Sequence, residues 1–399
     1  MAGRRTWTRV WSRATRARSD SVSRPEHRDR VILRPPVPLL LVSAALVSAL
    51  TGCAGDGSED PSASARFAGP GPHLVGVTQV DMGDRKVEVW YPGERGSEEG
   101  LSRATHAAAD FLPDAMLATL PPELKNITVE MPAYRDIPVS SSGPFPVMTF
   151  SHGAGGFRLA CSNLLAGIAS HGFVVASIDH LEWGLLTHLG SPPGTPRDPR
   201  ELVLAVLDRL RAERARPGSL LQGVADVTRV ATAGHSAGAR AAFTVGDRPE
   251  VKAMIGYAPV GAGSDMSGKP VLLVVGALDA LAGPLEHLYE QLPPTKRLVV
   301  VRNAGHNSFA DQCVILHGGT NVVEMARDAG LPLPDDLVEL ALDGCRRDDL
   351  PPAEFWRVVQ HFTVAHLRAA FGIDDPPIGL GPGVARALGR SGVVYRTQG

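Results

Sequence analysis

Residues 229–246 read RVATAGHSAGARAAFTVG, and the order of side-chain types in this stretch decides the fold. The run 229–233 is short and largely apolar, as expected of a strand buried on both faces of a sheet. Gly234-His235-Ser236-Ala237-Gly238 interrupts it, and an alanine-rich run that favours helix follows. Strand, sharp turn and helix in that order put Ser236 on a strained bend. Small residues on either side are needed there if its Oγ is to stand clear of the backbone. His235 adjoins the serine, but neighbours on such a turn point apart, so it reads as a packing residue.

Outward from this bend, β-rich runs alternate with helical segments. Candidate strands lie at 75–80, 86–91, 145–151, 173–178, 229–233, 251–257, 270–275 and 297–301, and candidate helices at 157–170, 200–215, 237–246, 284–292 and 352–370. The later strands are nearly all apolar. Such βαβ alternation, opened by an antiparallel pair, predicts an α/β chain with a doubly wound, mostly parallel sheet of about eight strands. No repeat of solenoid period is present. The segment 181–221 joins a loop rich in Pro and Gly to one charged helix, and is expected to cap the site. It lacks a long apolar stretch.

A serine hydroxyl is a poor nucleophile near neutral pH unless an imidazole takes its proton and a carboxylate fixes that imidazole's tautomer. Two residues stand where such partners belong. Asp279 follows the strand 270–275, and His306, in Asn303-Ala304-Gly305-His306, follows the strand 297–301. Asp179, also just beyond a strand, competes for the acid's role. Upstream, the strand 145–151 runs into His152-Gly153-Ala154-Gly155-Gly156. Glycines there let backbone N–H groups turn toward a carbonyl oxygen, and the amides of Ala154 and Ala237 are the expected oxyanion donors. No Lys-Ser/Thr pair follows this loop, which argues against a phosphate cradle.

The stretches SHGAGGFR (151–158), ASHGFVVASIDH (169–180), GHSAGA (234–239) and GHNSFADQC (305–313) resemble the α/β-hydrolase superfamily. Within it they are similar to the plasma-type platelet-activating-factor acetylhydrolases and bacterial dienelactone-hydrolase-like proteins. The resemblance covers about 75–371, and the run His-x-x-Phe-Ala-Asp from His306 is its most specific piece. It implies an α/β-hydrolase fold and a metal-independent serine esterase, without cofactor, acting on short or oxidised acyl esters. The implied triad is Ser236, Asp279 and His306. The chain departs from the pattern at Ala239, where a second glycine is usual. Dienelactone hydrolases proper use a cysteine nucleophile, so lactone hydrolysis is not implied. A thioesterase or polyester hydrolase would use the same machinery, and a catalytically silent binding protein could share the fold.

Charge is unevenly spread. Residues 1–36 hold ten of the 40 basic residues and three of the 42 acidic ones, which leaves 30 basic and 39 acidic residues from Cys53 onward, a net charge of −9. A surface of that sign argues against a nucleic-acid partner. The 14-residue apolar run 37–50 is too short to span a bilayer as a helix but suits a signal-peptide core. It ends in Leu50-Thr51-Gly52-Cys53, which resembles the lipobox of bacterial lipoproteins. Residues 1–52 are therefore expected to be a signal peptide and Cys53 a lipidated N-terminus on the outer face of the bacterial cell membrane. Residues 53–71 read as a flexible tether, 72–375 as the hydrolase domain and 376–399 as a C-terminal tail. Outside the cytoplasm disulfides persist. Of Cys161, Cys313 and Cys345, the last two share the Pro- and Gly-rich excursion after His306 and are the expected pair. No zinc-ligand spacing is present, so no metal is expected.

Overall fold

The computed structural model describes residues 64–192, 194–261, 266–283, 285–389 and 392–399. The expected signal peptide, Cys53 and the first part of the tether lie outside the described residues. The strands are β1 (Leu74–Asp81), β2 (Lys86–Gly93), β3 (Thr105–His106), β4 (Val129–Glu130), β5 (Tyr134–Arg135), β6 (Phe145–Ser151), β7 (Val174–Ile178), β8 (Ala225–His235), β9 (Val251–Tyr257), β10 (Val271–Gly276), β11 (Lys296–Val301) and β12 (Val393–Gln398). The helices are α1 (Asp114–Thr119), α2 (Pro122–Lys125), α3 (Ser162–Ala169), α4 (Leu185–His188), α5 (Pro199–Ala215), α6 (Ala237–Ala242), α7 (Leu285–Gln291), α8 (Gln312–His317), α9 (Val322–Asp328), α10 (Asp335–Leu342), α11 (Pro352–Ala370) and α12 (Val384–Ala387).

Among the described residues, ten strands form one sheet in the order β12-β11-β10-β9-β8-β6-β7-β2-β1-β5, while β3 and β4 pair separately. The antiparallel β1–β2 pair opens the sheet, β2 runs antiparallel to β7, and β6 to β11 are mutually parallel. This is the doubly wound α/β architecture expected from the sequence, with β5 and β12 as additional edges. From β6 the chain adds β7 on one side and β8 on the other. The sheet therefore reverses its winding between β6 and β8, and a crevice opens beyond their carboxyl ends, where ligands of such sheets bind.

Both faces of the sheet are covered, which is why β6, β7 and β10 are buried along their whole length. α3 and α11 seal one face with Leu164, Ile168, Phe355, Val359 and Phe362. α5 and the segment after β8 seal the other with Leu202, Val206, Leu207, Leu210 and Phe243. α5 starts cleanly because Pro199 suits the first helical position and the Asp198 carboxylate accepts the Arg200 N–H at 2.8 Å. Its apolar residues recur at helical spacing and face the sheet. Most of the expected 181–221 cap is thus core, while α4 and Leu189 line the cavity at the site.

Two further expectations need correction. The segment 376–399 is not a tail: β12 pairs with β11 from Lys296 opposite Gln398 to Val301 opposite Val393. Alternate residues of this strand pack inward, with Val393 and Tyr395 against the core. The tether also ends earlier than residue 71. Phe67 and Ala68 are buried, and Gln360 Nε2 donates to the carbonyl of Phe67 at 2.8 Å.

Candidate active site

Ser236 stands between the end of β8 and the start of α6 with φ +53°, a conformation that few residues other than glycine adopt. Backbone contact enforces the bend. A Cβ at Gly238 would overlap the carbonyl of Ser151 on β6, and one at Gly234 would overlap the carbonyl of Gly238. Both glycines of the motif are therefore required by close packing. The Ser236 N–H donates to the Tyr257 carbonyl at 2.9 Å, which pins the bend to β9.

The loop after β6 presses on this bend: a Cβ at Gly153 would lie 3.2 Å from the Ser236 Cβ and 2.7 Å from His235 Nδ1. Two of its amides are committed, Gly155 to the Trp183 carbonyl at 2.8 Å and Gly156 to the Gly153 carbonyl at 3.1 Å. Behind the loop, His152 donates from Nδ1 to the Gly153 carbonyl at 2.9 Å and accepts the His180 N–H at Nε2. Burial lowers the His152 pKa, so the ring stays neutral and keeps that tautomer. Ala154 lines the cavity above, and Ala237 opens α6, where an N–H has no partner within the helix.

His306 and Asp279 are brought together from two strand ends. The His306 Nδ1–H donates to Asp279 Oδ1 at 3.0 Å, which leaves Nε2 with its lone pair. The same oxygen accepts the N–H groups of Leu281 at 2.9 Å and Ala282 at 3.1 Å, so the carboxylate is held by its own turn. His235 is more than packing: its Nε2–H donates to the His306 carbonyl at 2.8 Å, tying the base's loop to the serine's strand. Burial, followed by the charge of His306, pushes the His235 pKa down to about 3, so it donates as a neutral ring. Asp179, the competing acid, sits elsewhere and accepts Arg158 Nη1 at 2.8 Å and the Arg158 N–H at 2.9 Å.

The structure adds residues that the sequence reading did not assign. Asp311, the last residue of the His-x-x-Phe-Ala-Asp run, is buried at the N-terminus of α3. It accepts Ser162 N at 2.7 Å, Ser162 Oγ at 2.5 Å and Asn163 N at 3.2 Å. The motif itself was its signal. Asp343 is buried beside the Asp279 and His306 turns, with no local pattern to mark it. Cys313 and Cys345 form a disulfide, and Cys161 is a buried free thiol. Among the described residues no group of three or more His, Cys, Asp or Glu side chains is arranged to hold a metal ion.

Over the loop lies a largely apolar cavity of about 250 Å³. Its walls come from two excursions between the strands, with Leu112 and Leu124 on one side and Val323, Leu333, Leu337 and Leu340 on the other. Gly153, Ala154 and Asn307 also line it, so the cavity reaches both the oxyanion loop and the residue after His306.

Sheet order, strained serine turn and buried carboxylate–histidine pair together define the α/β-hydrolase fold. Comparison with known proteins agrees. The family model for platelet-activating factor acetylhydrolase, isoform II, matches residues 69–184, and that for PET hydrolase-like proteins matches 139–327. A platelet-activating factor acetylhydrolase of Cavia porcellus is 30% identical over 129 residues, covering 28% of this chain and 28% of that protein. That of Canis lupus familiaris is 42% identical over 53 residues, 13% of this chain and 12% of that protein. The chain thus spans under a third of the length of these relatives. Among solved structures, a ferulic acid esterase from Streptomyces cinnamoneus superposes with TM-score 0.55 at 22% identity, covering 82% of this chain and 98% of that one, a likeness of fold.

Proposed function

We propose that the protein is a serine carboxylic-ester hydrolase working through an acyl-enzyme, with Ser236 as nucleophile, His306 as general base and Asp279 as the orienting acid. The observation that carries this is the buried Nδ1–H bond from His306 to Asp279, on a loop tied through His235 to the strand that ends in a serine held at positive φ. In this reading His306 Nε2 takes the Ser236 proton as Oγ attacks the ester carbonyl, and Asp279 stabilises the imidazolium that forms. The N–H groups of Ala154 and Ala237 meet the oxyanion, each contributing about 3 kcal/mol to the transition state. His306 then returns the proton to the leaving alcohol, and water releases the acid by the same steps in reverse.

The substrates proposed are short or oxidised acyl esters. A cavity of 150 Å³ holds benzene, and about 30 Å³ serves each water-sized group. The largely apolar cavity of about 250 Å³ is larger than the one that holds benzene and offers an acyl group an apolar wall beside the oxyanion loop. The lipobox-like run before Cys53 supports a lipid-anchored, exported mature chain, and the disulfide suits that compartment. The test is a fluorophosphonate probe with a p-nitrophenyl ester series. Labelling at Ser236 and faster turnover of acetyl or butyryl than decanoyl esters are expected. Folded protein that resists the probe is a silent binding protein, and a decanoyl preference overturns the acyl assignment.

A further inference from the structure

The acid and the base stand on separate turns, after β10 and after β11, and one side chain from a third segment touches both. Asp343 lies between α10 and α11 and is buried. Its Oδ2 accepts the Ala280 N–H at 3.0 Å, on the acid's turn, and its Oδ1 lies against Gly305, the residue before His306, on the base's turn. Its own carbonyl accepts the Asn307 N–H at 2.8 Å. Gly305 must be glycine for this approach, because a Cβ there would overlap Asp343 Oδ1.

The surrounding segment is anchored to the base's turn on every side. Asn307 Nδ2 donates to the Leu340 carbonyl at 2.6 Å, Ser308 Oγ donates to the Gly344 carbonyl at 3.0 Å, and Cys345 is bonded to Cys313.

We propose that Asp343 is a positioning residue of the triad, its buried carboxyl joining the turn that carries Asp279 to the turn that carries His306. The assignment rests on the hydrolase reading above and deepens it. Two effects follow. The bridge holds the Nδ1–Oδ1 bond of the pair at its working length, and a carboxylate this close stabilises the imidazolium formed during turnover. The titratable groups facing His306 are Asp279 from the β10 turn, Asp343 from the α10–α11 turn and His235 from the end of β8, with His152 beyond His235. Asp343 itself faces Asp279 and His306, while Arg346 on its own segment is turned to Glu339 at 2.8 Å. Burial first, and then the Asp279 charge, raises the Asp343 pKa above the usual carboxylate value.

The test compares Asp343→Asn and Asp343→Ser with the full-length protein. Both remove the charge, and serine keeps a short acceptor for the Ala280 N–H. Each is expected to lower kcat about 10- to 100-fold, as small displacements of catalytic groups do, with KM changed little. Each is also expected to move the acid limb of the kcat/KM profile to lower pH by about one unit, since a nearby negative charge no longer favours the imidazolium. A folded variant with wild-type kcat and an unmoved acid limb overturns the proposal, as does failure of both variants to fold, which makes the role structural. Wild-type turnover is the control: an inactive, unlabelled wild type refutes the hydrolase reading itself, whereas an active wild type beside an unaffected Asp343→Asn refutes only this assignment.

Discussion

Ser236 and His306 are held in place by two different kinds of structure. Around the serine the restraint is backbone against backbone: Gly238 against β6, Gly234 against Gly238, and a main-chain bond to β9, all at the ends of central strands. Around the histidine backbone also meets backbone, at Gly276 against Ala304 and at Gly305 against Gly344, but side chains from distant segments are added to it. His235, Asp279, Asp343, Ser308 and a disulfide hold a turn that leads into an excursion of short helices rather than back into the sheet. A restraint made of backbone leaves a mark in local sequence, because it demands glycine. One made of distant side chains leaves little, because each partner is an ordinary residue at a large separation.

After His306 itself, the proposed acid gives the largest effect on the histidine's side of that comparison. Asp279→Asn should cost on the order of 10⁴ in kcat, because the amide favours the wrong imidazole tautomer. Asp179→Asn, which removes an ion pair with Arg158, should stay within about tenfold of wild type in folded protein, and equal damage from the two would reassign the acid. A smaller effect, on stability, comes from the disulfide. Replacing Cys313 and Cys345 together by serine opens a loop with sequence separation 32 and should cost about 3 to 4 kcal/mol of unfolding free energy. Chemical denaturation measures it, and an unchanged midpoint would show that the excursion is held without the bridge.

The same distinction explains what the sequence made legible. The serine turn, the central strands and α11 could be read because runs such as VLLVVG at 271–276 are buried on both faces, and because the G-x-S-x-G glycines answer a local steric need. α5 was legible as a helix but was placed in a cap: Leu202, Val203, Val206, Leu207 and Leu210 recur at helical spacing and pack into the core, which the charged residues between them obscured. The walls of the cavity were not legible. α1, α2, α8, α9 and α10 have four to eight residues each, too few for a periodic pattern to stand out, and they are held by tertiary contact. β12 was obscured by the Gly- and Pro-rich segment before it, and its pairing with β11 is a non-local event. Asp343 stands 37 positions after His306 with no motif around it, and only the folded chain brings it to the triad.

The central claim is that Ser236 and His306 act as one unit, and the most direct measurement is kcat for Ser236→Ala, His306→Ala and the double variant in folded protein. Each single substitution should lower kcat on the order of 10⁶-fold with KM little changed, and the double should be scarcely worse than either, because the second loss removes nothing that still works. A His306→Ala variant that keeps most of its activity, or a double variant whose loss is the product of the two, would contradict it.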